Sequence, residues 1–238
     1  IIIQLMSSIC IIPARGGSKR ILKKNLKFFM GKPIIEYSLK NAINSKLFDE
    51  VFVSTDDFEI ANFSSKFKVK YRPLRSKINS NDYATTADVL REVLSYEKIS
   101  SKKYKYVCCL YPTAPLVNLD ILKKGFEELT KNKNVDCVYP VVKYSYPIQR
   151  SLKINSEGYI EMINEKNLNK RSQDFEDRFH DTGQFYFFKT DIINSYNNLF
   201  ESKCKAIIVD NVNVQDIDNE EDWKLAELKY KRKFNLDT

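Results

Sequence analysis

The sequence predicts an α/β fold, a mostly parallel sheet with helices on both faces, from three observations. Short apolar runs rich in Val, Ile, Tyr and Phe alternate with amphipathic helical patterns from one end to the other. The first run passes directly into the only adjacent glycine pair, Gly16-Gly17, where parallel sheets build their ligand loops. The chain's 238 residues, 43% hydrophobic and 13% aromatic, suffice for one sizeable core, so a single domain over residues 1–238 is expected.

In chain order, Ser8–Ile12 reads as the first strand. Pro33–Leu47 reads as a helix, because proline suits the first helical position and Ile35, Leu39, Ala42 and Ile43 form one stripe. Glu50–Ser54 and Lys68–Tyr71 read as strands. Thr86–Tyr96 carries Val89, Leu90, Val93 and Leu94 at helical spacing, and Thr85 with Asp88 makes a capping pair before them. Tyr106–Tyr111 is a strand, Leu119–Thr130 a helix and Asp136–Val142 a strand. Lys143–Arg178 breaks the rhythm: long, polar and aromatic, with a hairpin-like Asn155-Ser156-Glu157-Gly158 at its middle, it reads as an inserted arm over the site or a second subunit. Gln184–Phe188 and Ala206–Val209 are strands, and Asn219–Lys231 is the last helix.

A net charge of +8 favours anionic partners, but 31 acidic residues among 39 basic ones make a mixed surface rather than a basic tail. The charge and the 14 tyrosines invite a nucleic-acid-binding module, with Tyr104, Tyr106, Tyr144 and Tyr146 stacking on bases. Those tyrosines alternate as strand residues do, and no clustered basic face is legible, so no nucleic acid partner is expected. The five cysteines are odd in number and lack CxxC spacing, so each reads as a small buried hydrophobe of a reducing compartment. The apolar IIIQLMSSICII start is too short to span a bilayer. A cytoplasmic protein with no membrane partner is expected, with Met6 as the initiator and residues 1–5 as upstream sequence.

The stretch IIPARGGSKRILKKN puts Arg15, Lys19 and Lys24 around a glycine turn. Backbone N–H groups of such a turn converge on anions, and the cations suit a triphosphate. Neither the Walker A spacing nor GxGxxG is present. A solvated basic turn is the alternative. In Asp216-Ile217-Asp218, residues two apart in extended chain point the same way, so both carboxylates can face one magnesium ion while Ile217 packs inward. Asp218 with Glu221 is also a helix-start pattern, and the two readings are compatible. His180 is the only histidine, which excludes a multi-histidine metal site.

Together IIPARGGSKR…KKN, Tyr111-Pro112-Thr113-Ala114-Pro115 and Asp216-Ile217-Asp218 resemble, in order and over nearly the whole chain, the CMP-sugar synthetases of acylneuraminate type. These cytidylyltransferases transfer CMP from CTP to the anomeric hydroxyl of acidic sugars. Arg171-Ser172-Gln173-Asp174 and His180-Asp181-Thr182-Gly183-Gln184-Phe185-Tyr186 look most like the branch acting on pseudaminic acid, with sialic, legionaminic and ketodeoxyoctonic acids as alternatives. The resemblance implies a three-layer α/β/α sandwich with a Rossmann-like nucleotidyltransferase sheet, and a homodimer in which residues 143–178 form the dimerisation arm. It further implies that Arg15, Lys19 and Lys24 hold the CTP phosphates, with Ala14, Gly16, Gly17 and Ser18 around them. Asn25, Arg72, Ala84 and Thr86 would read the cytosine, Tyr111 would lie near the ribose, and Arg171, Gln173 and Gln184 would line the acceptor pocket. Asp216 and Asp218 would ligate Mg2+. Leu22 and Phe187 depart from the family pattern, which usually has proline and, in the pseudaminic branch, tryptophan there.

Overall fold

The computed structural model describes residues 7–96, 104–195 and 199–236; Met6 and the upstream residues lie outside them. Strand β1 (Ser8–Pro13) leads through the basic loop into the two short strands β2 (Phe28–Phe29) and β3 (Lys32–Pro33) and helix α1 (Ile34–Ser45). Then come β4 (Glu50–Ser54), α2 (Phe58–Ser65), α3 (Thr86–Ser95), β5 (Tyr106–Leu110), α4 (Leu119–Lys131) and β6 (Cys137–Lys143). The arm carries β7 (Leu152–Ile154) and β8 (Ile160–Met162). Beyond it lie β9 (Phe179–Asp181), β10 (Phe185–Lys189), α5 (Thr190–Ser195), β11 (Cys204–Ile208) and α6 (Glu220–Phe234).

The main sheet runs β11-β6-β10-β5-β1-β4, with β9 also on β6. β1 is parallel to β4 and β5, and β11 to β6, whereas β10 is antiparallel to both its neighbours. Strand alternation splits the core in two. Cys10, Ile12, Cys108, Leu110, Phe185 and Phe187 pack against Leu39 of α1 and Leu122 and Leu129 of α4. Ile9, Ile11, Val107, Cys109, Tyr186 and Phe188 pack on the opposite face against Leu90 and Val93 of α3 and Ile193 of α5. In α4, Gly125 allows close packing: a Cβ there would stand 3.1 Å from the rings of Phe185 and Phe187. Phe187 is fully buried and in register with Cys108 and Val138, so this departure from the family pattern concerns the core.

Three expectations change. Lys68–Tyr71 contributes only a single bridge, Lys70 to Phe52, because Lys68 sits at φ 58° and Pro73 follows shortly after. The unpredicted α2 is short, and its start is fixed by Asp57, whose Oδ1 accepts from the Glu59 and Ile60 N–H groups at 2.7 and 3.2 Å. The last helix is capped by Asn219 and Asp222 in a reciprocal box, not by Asp218 and Glu221. The Thr85–Asp88 box forms as read.

The segment 143–178 holds the β7–β8 hairpin, turned at Asn155, whose Oδ1 accepts from the Glu157 and Tyr159 N–H groups at 3.0 Å each, with Gly158 at φ 88°. It exposes Leu152, Ile154, Ile160, Ile163 and Leu168.

Candidate functional site

The site is built where the carboxyl ends of β1 and β5 open, the position that a parallel sheet offers to ligands. A third apolar cluster anchors it: Ile21 from the basic loop, Phe29, Ile34, Ile217, and Trp223 and Ala226 of α6. Burying Ile21 and Ile217 together joins the loop after β1 to the Asp216-Ile217-Asp218 segment near the carboxyl terminus. Leu22, beside Ile21, is 81% exposed and takes no part.

A cavity of about 370 Å³ results, lined by Arg15, Ser18, Lys19, Lys24 and Asn25 of the loop, by Ala84 and Thr86, by Tyr111, Pro112 and Thr113, and by Asp218. Arg20 pairs with Asp218 at 2.8 Å, and Lys24 Nζ donates to the Ile217 carbonyl at 2.6 Å. Burial lowers the Lys24 pKa, against the opposing pull of Asp218 and Asp216. Arg15 and Lys19 converge on Asp82, at 2.7 and 2.6 Å. Tyr111 and Thr86 share a hydroxyl–hydroxyl hydrogen bond of 3.0 Å, and burial raises the tyrosine's pKa.

Asp216 faces an adjoining cavity of about 330 Å³, which Asp218 also lines. Its pKa is raised, first by desolvation and then by the Asp218 charge. Gly183, at φ 61°, makes room for it, since a Cβ there would lie 3.4 Å from the Asp216 Cγ. Two carboxylates on alternate residues, one costly to ionise, fit a magnesium ion that keeps its other positions for water and phosphate. Among the described residues no three or more His, Cys, Asp or Glu are grouped so that they could hold a metal ion, so side chains offer no closed cage.

Other expected residues sit elsewhere. Ala14 is buried, its N–H donating to Ser54 O at 2.8 Å. Gly16 gives its N–H to Asp56 Oδ1 at 2.9 Å, and neither Gly16 nor Gly17 lines the cavity. Arg72 is exposed, with its guanidinium 5.7 Å from the Tyr71 ring, and lines neither cavity. Arg75 lines the first cavity instead: its N–H donates to Thr55 O at 2.8 Å, and its buried guanidinium donates to the Ser54 hydroxyl at 2.9 Å and to the Ser54 carbonyl. Gln184 is buried, donating to Asn213 O at 2.6 Å. Arg171 pairs with Asp174 on the arm at 3.0 Å, and it and Gln173 line neither cavity. The sequence reading missed Arg75 because the YRPLRS stretch holds two arginines and nothing in it shows which one the end of β4 captures.

A basic loop after the first parallel strand, facing Asp218 across one cavity with Asp216 in the adjoining one, defines a nucleotidyltransferase enzyme. The fold agrees: the solved CMP:2-keto-3-deoxy-manno-octonic acid synthetase complexed with CTP superposes with a TM-score of 0.70 at 16% identity, over 95% of this chain and 99% of that one. Residues 9–207 match the cytidylyltransferase family, and the chain belongs to it. It is 39% identical to a pseudaminic acid cytidylyltransferase of Campylobacter jejuni, over 95% of this chain and 97% of that protein. It is 34% identical to a Helicobacter pylori protein named as both a pseudaminic acid cytidylyltransferase and a UDP-2,4-diacetamido-2,4,6-trideoxy-beta-L-altropyranose hydrolase, over 89% of this chain and 40% of that one.

Proposed function

We propose that the protein transfers CMP from CTP to the anomeric hydroxyl of a nine-carbon acidic sugar, pseudaminic acid, releasing pyrophosphate. The observation that carries this reading is the shared cavity in which Arg15, Lys19 and Lys24 meet Asp218. The three cations would hold the triphosphate, Arg75 with Ala84 and Thr86 would enclose the base, and Tyr111 would border the ribose. The sugar hydroxyl oxygen attacks the α-phosphorus in line, its proton passes to water, and the bond from that phosphorus to the bridging oxygen breaks, that oxygen leaving with pyrophosphate. No covalent enzyme intermediate is needed; positioning and fixed positive charge supply the rate. Asp216 and Asp218 would hold Mg2+, which when bound offsets charge on the triphosphate.

The exposed apolar residues of the 143–178 arm support a homodimer, in which Arg171 and Gln173 would reach a second copy. Four of the five thiols are buried and all are free, in keeping with a reducing cytoplasm. No described helix is long and apolar enough to cross a membrane.

Incubation with CTP, Mg2+ and, separately, pseudaminic, sialic, legionaminic and ketodeoxyoctonic acids, followed by pyrophosphate release, tests the reading. Release with pseudaminic acid foremost is expected. Preference for another acid would correct the acceptor, and release with none would overturn the function.

A further inference from the structure

Asp218 forms part of the wall of two cavities, so the compartment beyond it from the basic loop adjoins the reacting phosphate. His180, Asn211, Gln215, Asp216, Asp222 and Lys229 are among the residues lining that second compartment. Two of its three aspartates have other engagements. Asp218 pairs with Arg20, and Asp222 accepts the Asp218 and Asn219 N–H groups at 2.9 and 3.1 Å. Lys229 of α6 is the only lysine or arginine in the lining. Its Nζ donates to Asn211 Oδ1 at 2.9 Å and to Val214 O at 2.6 Å, which uses two of three ammonium protons on neutral oxygens. Among the described residues no carboxylate lies within ion-pairing distance of it, and burial alone lowers its pKa. A desolvated cation fixed by neutral groups at a cavity wall is suited to an anion from solution.

We infer that Lys229 binds the carboxylate of the acceptor sugar in this second compartment, an inference that rests on the proposed CMP transfer. In such an acceptor the carboxylate and the attacking hydroxyl share one carbon. A cation in the compartment that Asp216 and Asp218 border therefore anchors the carboxylate while the hydroxyl turns toward the phosphate. The anchor also selects against neutral sugars, which would leave the partly buried ammonium without an anionic partner.

Steady-state kinetics with Mg2+, CTP and pseudaminic acid on the parent, Lys229→Gln and Lys229→Arg test this. Lys229→Gln should raise the sugar KM about 10- to 100-fold, the range for a lost charged hydrogen bond, and leave the CTP KM within about twofold. Lys229→Arg should restore most of the loss. In the unaltered protein, the sugar should also protect Lys229 from acetic anhydride, read by peptide mass spectrometry. An unchanged sugar KM, an equal rise in both KM values, or no protection of Lys229 would overturn the assignment while the parent remains active. A parent that releases no pyrophosphate with any of the acids would overturn the function and this inference together.

Discussion

The Nζ of Lys24 lies 2.6 Å from the carbonyl oxygen of Ile217, a contact across 193 residues of sequence that closes the basic loop onto the aspartate segment. The ammonium thereby feels the charges of both Asp218 and Asp216, and burial lowers its pKa despite them. Lys24→Ala should reduce turnover by about 100-fold, the scale of one lost preorganised charge in a site of this kind. Pyrophosphate release at saturating CTP checks it, and a rate within about threefold of the parent would remove Lys24 from the chemistry.

Asp216 couples activity to stability with a defined sign. Its folded-state pKa is raised, so between the ordinary carboxylate value and that raised value the folded protein binds more protons than the unfolded chain. Its contribution to stability therefore falls as pH rises through this window, and at neutral pH the ionised group weighs against the metal-free fold. Asp216→Asn should raise the metal-free melting temperature at pH 7 by about 1–3 °C, a change below about 1 kcal/mol in a domain of this size, and abolish most turnover. Below pH 4 the stability difference should vanish. Thermal melts at the two pH values decide it; a variant less stable at pH 7 contradicts the argument.

Asp82 occupies the anion position of the cation cluster, bridging Arg15 and Lys19. A triphosphate must displace it, and its pairs are solvent-exposed, so each contributes little. Asp82→Asn should tighten CTP binding by about two- to fivefold in calorimetric titration, more at low salt than at high. Weaker binding would show that Asp82 does more than hold the cations.

Arg75 and Arg72 divide the legible from the illegible. The sheet, its two faces and all four forecast helix starts within a residue could be read from periodicity, because each run's burial repeats along itself. The direction of β10 could not, since alternation carries no sign. The loop cations could be read from charge placed beside a glycine turn, and both aspartates from their alternate spacing in extended chain. Arg75 could not, because its role depends on Thr55 and Ser54, at the end of a strand about 20 residues earlier. Arg75→Met should raise the CTP KM at least about tenfold, whereas Arg72→Ala should leave it within about twofold. Equal effects from both would return the cavity wall to Arg72.

The adjacent glycines should respond oppositely to substitution. A Cβ on Gly16 would meet the Asp57 Oδ2 at 2.6 Å, and Asp57 is held by the N–H groups that start α2, so it has little room to yield. The Gly16 N–H is committed to Asp56, which fixes the loop from its other side. A Cβ on Gly17 has nothing within 4 Å. Gly16→Ala should therefore cost about 1–3 kcal/mol, the price of overpacking a fixed contact, and should shift Arg15 and weaken CTP binding. Gly17→Ala should change stability by less than about 0.5 kcal/mol. Denaturant unfolding of the two variants checks the contrast. If Gly17→Ala proves the more damaging, open backbone at that position, and with it direct approach of a phosphate to the Gly17 N–H, becomes the better account of the pair.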